Sequence, residues 1–383
     1  MRVGVNVRLL QPNKLEGIGR FTLETLRELM HLHPDWTFYF FFDRAFDERF
    51  ILGPNVVPVV VHPPARHPAL FILWFELAIP FQLRKHQIDV FLSPDGYLSL
   101  SASIPQVLVS HDLAYLHFSN LTSKLVEYYL KYFVPRFHQR ADHIVAVSDF
   151  TRQDIHKQYG IPLEKISVGH NALSSEFVKL QDRPLIGELS SFGIQEGDRY
   201  FLFVGALHPR KNIVNLIQAF EIVKQSVHDP HLKLVLVGRL AWESDEIKAK
   251  LENSRYAKDI IHIPHASDEE LWKFYMGAVS LVYVSLFEGF GIPILEAFAA
   301  GSPVICSNVS SMPEVGGNAA IYVNPYDLSE IAAAMISTLG ASDAKNHRIS
   351  LGYERLRQYS WSQTAQVLAK AISMVSSASK RLD

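Results

Sequence analysis

Short apolar runs alternate with longer stretches of helical period along this chain, and they do so in two series separated by a break. Runs at 38–42, 56–61, 107–109 and 144–147 are spaced by segments such as 21–32 and 125–137, where apolar residues return every three to four positions. Uninterrupted apolar runs of that length suit strands buried on both faces, which occur where helices cover both sides of a parallel sheet. Between 171 and 199 the pattern gives way to mixed polar sequence containing Pro184, Gly187, Gly193 and Gly197. A second series follows, with strands expected at 200–204, 233–237, 260–263, 280–284 and 302–306 and helices at 213–223, 268–275 and 293–300. No residue-level repeat relates the two series. At 383 residues the chain exceeds what one hydrophobic core usually organises. The expected fold class is α/β, with two doubly wound Rossmann-like domains facing one another across a deep cleft. The expected boundaries are 1–175 for the first domain, 176–198 for a linker and 199–360 for the second. A last helix within 361–383 is open to packing on either domain, including a return to the first.

Charge and cysteine content narrow the function. The formal net charge of -2 gives no basic field for a phosphate backbone, which argues against a nucleic-acid partner. The single cysteine, Cys306, excludes an internal disulfide and a cysteine-built zinc site, and suits the cytosol. The opening residues Met1-Arg2-Val3-Gly4-Val5-Asn6-Val7 read as a buried strand rather than a signal peptide. Residues 69–81 are apolar but are interrupted by Glu76 and closed by Pro80, too short to cross a bilayer.

Two constellations carry the chemistry. The first is Glu288-Gly289-Phe290-Gly291-Ile292-Pro293-Ile294-Leu295-Glu296, between an expected strand and an expected helix. Gly289 and Gly291 let the backbone approach a ligand, and the helix start beyond them offers unpaired N–H donors and partial positive charge to a diphosphate. The glycines alone fit an ordinary strand-to-helix junction better than a ligand site, and Glu296 alone fits a solvated helix position; both glutamates, the tight loop and the strand at 302–306 together favour the site. The second constellation is Gly205-Ala206-Leu207-His208-Pro209-Arg210-Lys211-Asn212, at the end of another strand. Cations there can neutralise a departing diphosphate; the plain alternative is a basic pair on a surface turn.

In these motifs the chain resembles the large retaining glycosyltransferase family 4, whose GT-B architecture has two Rossmann domains and whose signature is Glu-x7-Glu in this context. The similarity extends through Ala299-Ala300-Gly301-Ser302-Pro303-Val304, Met312-Pro313-Glu314-Val315 and Gly316-Gly317-Asn318-Ala319-Ala320. It implies that Glu296 holds the donor ribose and that Glu288 holds the donor sugar's hydroxyls. It also implies that the amides of Phe290 and Gly291 meet the phosphate or sugar, and that Lys211 with Arg210 and Gly205 serves the diphosphate. One departure is Ala206, where many members carry arginine.

The first series contributes Gly17-Ile18-Gly19-Arg20, expected just before an amphipathic helix. It lacks the third glycine of a dinucleotide fingerprint, which argues against hydride transfer. The resemblance places Gly17 and Gly19 near the donor phosphates, and makes His111, in His111-Asp112 after the strand at 106–110, a catalytic residue with Asp112 organising its loop. On this reading His111 donates to a sugar hydroxyl or lends its backbone carbonyl to the reacting carbon. Ser93-Pro94-Asp95 resembles a family loop on the acceptor side, and Ser148 reads as either a family landmark or a helix N-cap. Tyr128, Tyr129, Tyr132 and Phe133 read as one buried helix face. Residues 71–81, near Arg84 and Lys85, read as packed helix, with a membrane-touching surface as the alternative.

The function expected is retaining transfer of a hexose, mannose from GDP-mannose as the leading choice, to a saccharide or lipid-linked acceptor in polysaccharide or lipopolysaccharide assembly. Lys211, Glu288 and His111 are the expected catalytic residues, with no metal and no cofactor beyond the nucleotide-sugar co-substrate. The alternatives are a UDP-sugar donor, an epimerase or phosphorylase on the same fold, or a non-catalytic partner subunit. The location expected is cytoplasmic, with peripheral contact at the inner membrane face left open.

Overall fold

The computed structural model describes residues 1–12, 15–118, 123–181, 189–241, 244–340 and 343–379. The chain divides into two units, Met1–Asn171 with Ser360–Asp383, and Ala172–Tyr359.

The first unit is built on a parallel sheet of seven strands: β1 (Arg2–Asn6), β2 (Thr37–Phe42), β3 (Val56–Val60), β4 (Val90–Ser93), β5 (Gln106–Ser110), β6 (His143–Ala146) and β7 (Ile166–Val168). Their order is β3-β2-β1-β4-β5-β6-β7, so the direction of winding reverses between β1 and β4. β4, β5 and β6 are buried throughout, as their unbroken apolar runs require. Because crossovers between parallel strands are right-handed, reversal places the helix after β1 (Gly17–Leu32) on one sheet face and the helices after β3 and β5 on the other. The helix after β3 runs from residue 68 to 85 and widens into a π turn at Trp74–Ala78. Pro80 has no N–H to offer the Glu76 carbonyl, and the Ser101 hydroxyl donates to that oxygen instead at 2.7 Å. The helix after β5, Lys124–Arg140, lies beside it, with Phe71 against Tyr129 at 5.7 Å and Phe75 against Phe137 at 6.5 Å between ring centroids.

Trp361–Ser379 forms the last helix and packs on Gly17–Leu32, burying Ala365, Leu368, Ile372 and Val375. Its Trp361 ring meets Phe21 edge-on, and the Thr364 hydroxyl donates to the His170 carbonyl at 2.5 Å.

The second unit holds six parallel strands: β8 (Arg199–Val204), β9 (Leu232–Val237), β10 (Ile260–Ile263), β11 (Ser280–Tyr283), β12 (Val304–Ser307) and β13 (Ile321–Val323). Their order is β10-β9-β8-β11-β12-β13, and winding reverses between β8 and β11. This unit begins earlier than the sequence suggested. The helix Ser175–Leu180, which straddles the start of the expected linker, sinks Phe177 fully against Trp272 and Tyr275. Pro184 and Gly187 of that linker lie outside the described residues. No helix among the described residues is long and apolar enough to cross a membrane.

Candidate active site

In open α/β sheets, ligands bind beyond the carboxyl ends of the strands where the winding reverses. In the second unit that point lies between β8 and β11, and the two expected constellations follow those two strands. β8 runs into Gly205 and then a tight turn, Pro209–Lys211. Proline presets the first turn position, the His208 ring accepts from the Arg210 N–H at 3.1 Å, and Asn212 ends the turn in the left-handed region at φ 63°. The Asn212 side-chain amide, buried, donates to the carbonyls of Val284 at 3.0 Å and Pro325 at 2.7 Å. The Leu286 N–H donates to the Arg210 carbonyl at 2.9 Å, so the loops after β8 and β11 are tied directly together.

The side chains converge on Glu288. One oxygen accepts from Lys211 Nζ and from the Tyr283 hydroxyl at 2.9 Å, and the other accepts from Arg210 at 3.2 Å. Lys211 also donates to the Tyr283 hydroxyl at 2.9 Å and stands over its ring, while Arg210 donates to the Phe287 carbonyl. All three charged side chains are largely buried. Burial acts to raise the Glu288 carboxyl, but the Lys211 and Arg210 charges and the Lys211 hydrogen bond override it and hold the group at about 2. It is therefore a full anion at neutral pH and can only accept hydrogen bonds. Burial, and then Glu288, push the Tyr283 phenol well above its ordinary value, so it remains a donor.

Gly291 stands at φ 104° as the N-cap of the helix Ile292–Ala299, a conformation costly for any residue with a Cβ. Phe290 is buried, with its ring edge-on to Tyr359. The Ser311 hydroxyl, fully buried, bridges the Glu288 and Phe290 carbonyls at 2.9 Å each and so fixes the glycine loop. Glu296 points elsewhere: it lies on the Ile292–Ala299 helix, partly buried, and accepts from the Tyr275 hydroxyl at 2.7 Å. The second unit thus joins Arg210, Lys211 and Glu288 in one cluster and holds Glu296 through a separate bond.

Sequence reasoning missed Asn212 and Ser311 as anchors, and it missed Gly238. A Cβ on Gly238, which follows β9 at φ 145°, would stand 2.0 Å from the Gly205 carbonyl oxygen. Only glycine lets the β8 and β9 ends approach this closely, and the signal was a glycine directly after a strand.

In the first unit the reversal lies between β1 and β4, and an ion pair fills it. Arg8 Nε meets Asp95 Oδ2 at 2.5 Å, both side chains nearly inaccessible, and the guanidinium faces the rings of Tyr97 and Phe71 at 4.6 and 5.1 Å. Asp95 also accepts from the Ser93 hydroxyl and the Tyr97 N–H at 3.2 Å each. The expected acceptor-side loop is thereby braced, by an arginine the sequence reading passed over. Between Ser93 and Asp95 stands Pro94, whose carbonyl is 2.8 Å from His111 Nε2. A carbonyl only accepts, so Nε2 carries the proton. Burial pushes the His111 imidazole below its ordinary value, with the Pro94 bond and nearby carboxylates offsetting it only in part. The neutral ring has spent its one N–H on Pro94, so the expected side-chain donation to a sugar hydroxyl is not available to it. The backbone carbonyl of His111 accepts no hydrogen bond among the described residues. Asp112 caps the following turn by accepting from the Ala114 N–H at 3.0 Å.

Gly17 and Gly19 lie inside the first turn of the helix Gly17–Leu32 rather than in a loop before it. A Cβ on Gly19 would stand 2.9 Å from the Leu9 carbonyl oxygen, whereas one on Gly17 would meet nothing within 4 Å. Ser148 is an N-cap, accepting from the Thr151 N–H at 3.0 Å. Among the described residues no group of three His, Cys, Asp or Glu is placed to hold a metal ion.

Two parallel Rossmann-like sheets with this cluster at the second reversal point define the GT-B class, and comparison with known proteins agrees. A family model described as Glycosyltransferase Family 4 matches residues 15–177, and one described as Glycosyl transferases group 1 matches residues 188–355. Between them the two models cover most of the chain, which is similar to these glycosyltransferases in both of its units. The O-antigen chain mannosyltransferase B of Escherichia coli is 32% identical over 61% of each chain. The O-antigen chain mannosyltransferase RfbU of Salmonella typhimurium is 32% identical over 58% of this chain and 57% of its own. The matched stretches thus span less than two thirds of these relatives' length. Among solved structures, sucrose-phosphate synthase from Thermosynechococcus elongatus superposes with a TM-score of 0.77 at 16% identity, covering 98% of this chain and 99% of that one.

Proposed function

We propose that the protein is a retaining glycosyltransferase that moves a hexose from a nucleotide sugar to a saccharide acceptor. The observation that carries the reading is the convergence of Arg210 and Lys211 on Glu288 where the second sheet reverses, beside the Gly291-capped helix. Two cations meeting at one carboxylate supply positive charge, and a helix start adds oriented donors; a diphosphate complements both. The diphosphate takes over Lys211 and Arg210 from Glu288, and the freed carboxylate accepts from the donor sugar's hydroxyls.

As the glycosidic bond breaks, negative charge grows on the leaving phosphate, and Lys211 with Arg210 stabilises it. Glu288 is ionised at neutral pH and is no proton donor. The acceptor hydroxyl attacks from the face the diphosphate leaves and passes its proton to the departing phosphate oxygen, which keeps the anomeric configuration. Glu296 holds the ribose. A part for Gly17, Gly19 and the His111 carbonyl in the same reaction rests on the family resemblance.

The donor proposed is GDP-mannose, supported by the names of the two bacterial relatives, both O-antigen mannosyltransferases. The acceptor is a saccharide of polysaccharide or lipopolysaccharide assembly, and a lipid carrier on it would bring the enzyme to a membrane face. No metal takes part. Incubation with GDP-mannose, UDP-glucose and UDP-galactose, followed by chromatography for released nucleotide, tests the reading, and turnover should survive chelation. Failure of every nucleotide sugar to turn over or to raise the melting temperature would sink it.

A further inference from the structure

The helices at 68–85 and Lys124–Arg140 each have an apolar face that nothing in the first unit covers. The first shows Leu73, Leu77 and Phe81 at 43, 65 and 59% exposure, a stripe at intervals of one helical turn. The second shows Leu125, Tyr128 and Tyr132 at 55, 73 and 54%. Five of the six most exposed large hydrophobic side chains among the described residues therefore lie on these two helices. The four aromatics at 128–133 do not form one buried face, because adjacent positions on a helix are about 100° apart. Tyr129 and Phe133 turn inward to the shared cluster with Phe71, and Tyr128 and Tyr132 turn outward.

The helices lie side by side on one sheet face, so their outer stripes look away from the sheet together. Scattered exposed hydrophobics are ordinary on a soluble surface, but a clustered patch of this kind marks a binding surface. Its charge says what binds. The two helices carry six Lys or Arg against two Glu, on a chain whose formal charge is -2. Both carboxylates are engaged: Glu76 accepts from the Leu100 and Ser101 N–H groups at 2.9 and 2.8 Å, and Glu127 pairs with Lys131. Arg84 and Lys85 stand exposed at the end of the first stripe, Lys124 at the start of the second, and Arg136 lies over the Tyr132 ring. Outward Leu and Phe, tyrosines with an apolar body and a wet hydroxyl, and long cations at the rim match the layers of a bilayer interface with anionic headgroups.

We propose that this two-helix face docks on an anionic membrane surface. The inference extends the reading given above but does not depend on the sugar chemistry. It is tested with the full chain and vesicles of phosphatidylcholine carrying graded phosphatidylglycerol, read by co-sedimentation. The wild type should pellet in proportion to phosphatidylglycerol and be released by high salt. The double variant Leu77→Ser/Phe81→Ser should lose at least tenfold in partitioning, and Arg84→Glu/Lys85→Glu should lose the dependence on phosphatidylglycerol. Both variants should keep wild-type melting and donor-nucleotide turnover, since none of the four residues belongs to the sugar-transfer site. A wild type left in the supernatant at every composition, or variants that pellet like it, overturns the proposal. So does velocity sedimentation showing a dimer that Leu77→Ser/Phe81→Ser dissociates, because the face would then join copies of the chain. Vesicle binding without sugar transfer would count against the proposed function alone; transfer to a soluble acceptor without vesicle binding would count against the docking face alone.

Discussion

Lys211 and Glu288, 77 residues apart in sequence, form a direct ion pair at the point where the second sheet reverses its winding. Each is placed there by its own strand, β8 for the lysine and β11 for the glutamate. In the proposed function a diphosphate displaces this pair, and that separates the roles of the residues around it.

Lys211→Ala should lower kcat by about a hundredfold to a thousandfold, the usual loss when a group that stabilises transition-state charge is removed. Glu296→Ala should mainly raise KM for the donor, because the role proposed for its carboxylate is to hold the ribose. Steady-state kinetics on both variants checks the split. Equal effects on kcat and KM in the two would contradict it.

Two of the groups that make the fold respond to acid act in separate windows. His138 is buried, with Nε2 at 2.9 Å from the Ser110 hydroxyl and Nδ1 at 2.8 Å from the Val134 carbonyl. Burial pushes it down to about 4, the Val134 bond opposing. A histidine with a depressed folded pKa contributes stability above its unfolded value near 6.5, and loses it as pH falls toward 4. Glu288, held at about 2, contributes stability above 4.5 and loses it as pH falls toward 2. Each contribution is on the order of 3 kcal/mol. Denaturant titrations at stepped pH should show the His138→Gln variant with a shallower upper slope and Glu288→Gln with a shallower lower one.

Gly238→Ala should destabilise the second unit by about 3 kcal/mol or more, through both the clash with the Gly205 carbonyl and the positive φ. Thermal melting measures the loss, and donor affinity should fall with it because the displaced Gly205 leads into the Lys211 turn.

Asn212→Ala removes two buried hydrogen bonds, to Val284 and Pro325, and puts alanine in a left-handed conformation. A loss of about 2 to 4 kcal/mol is expected. kcat should drop although Asn212 is only a brace, and Asn212→Gly, which relieves the backbone strain alone, should recover part of the stability and little of the rate.

The alternation of apolar runs and helical stretches made both sheets legible, since strands buried on both faces need no partner to be recognised. The Glu288 to Glu296 segment and the Arg210-Lys211 pair were legible as separate motifs. Their meeting was not, because it depends on strand order, and β8 and β11 are neighbours only after β9 and β10 wind away. Gly238 and Ser311 were hidden for the same reason: their partners, Gly205 and the Glu288 and Phe290 carbonyls, are remote in sequence. The tautomer of His111 could not be read either, since it is set by the carbonyl of Pro94 in another loop. The start of the second unit was misplaced because Phe177 stands in a polar stretch, and only Trp272 and Tyr275 show why it is buried.

The return of Trp361–Ser379 to the first unit bears on how the chain matures on the ribosome. The first unit can wind its sheet as it emerges, but the surface of Gly17–Leu32 awaits a segment translated only after the whole second unit. Synthesis that stops short of residue 360 yields a first unit with an uncovered greasy flank, a natural target for chaperones and proteases.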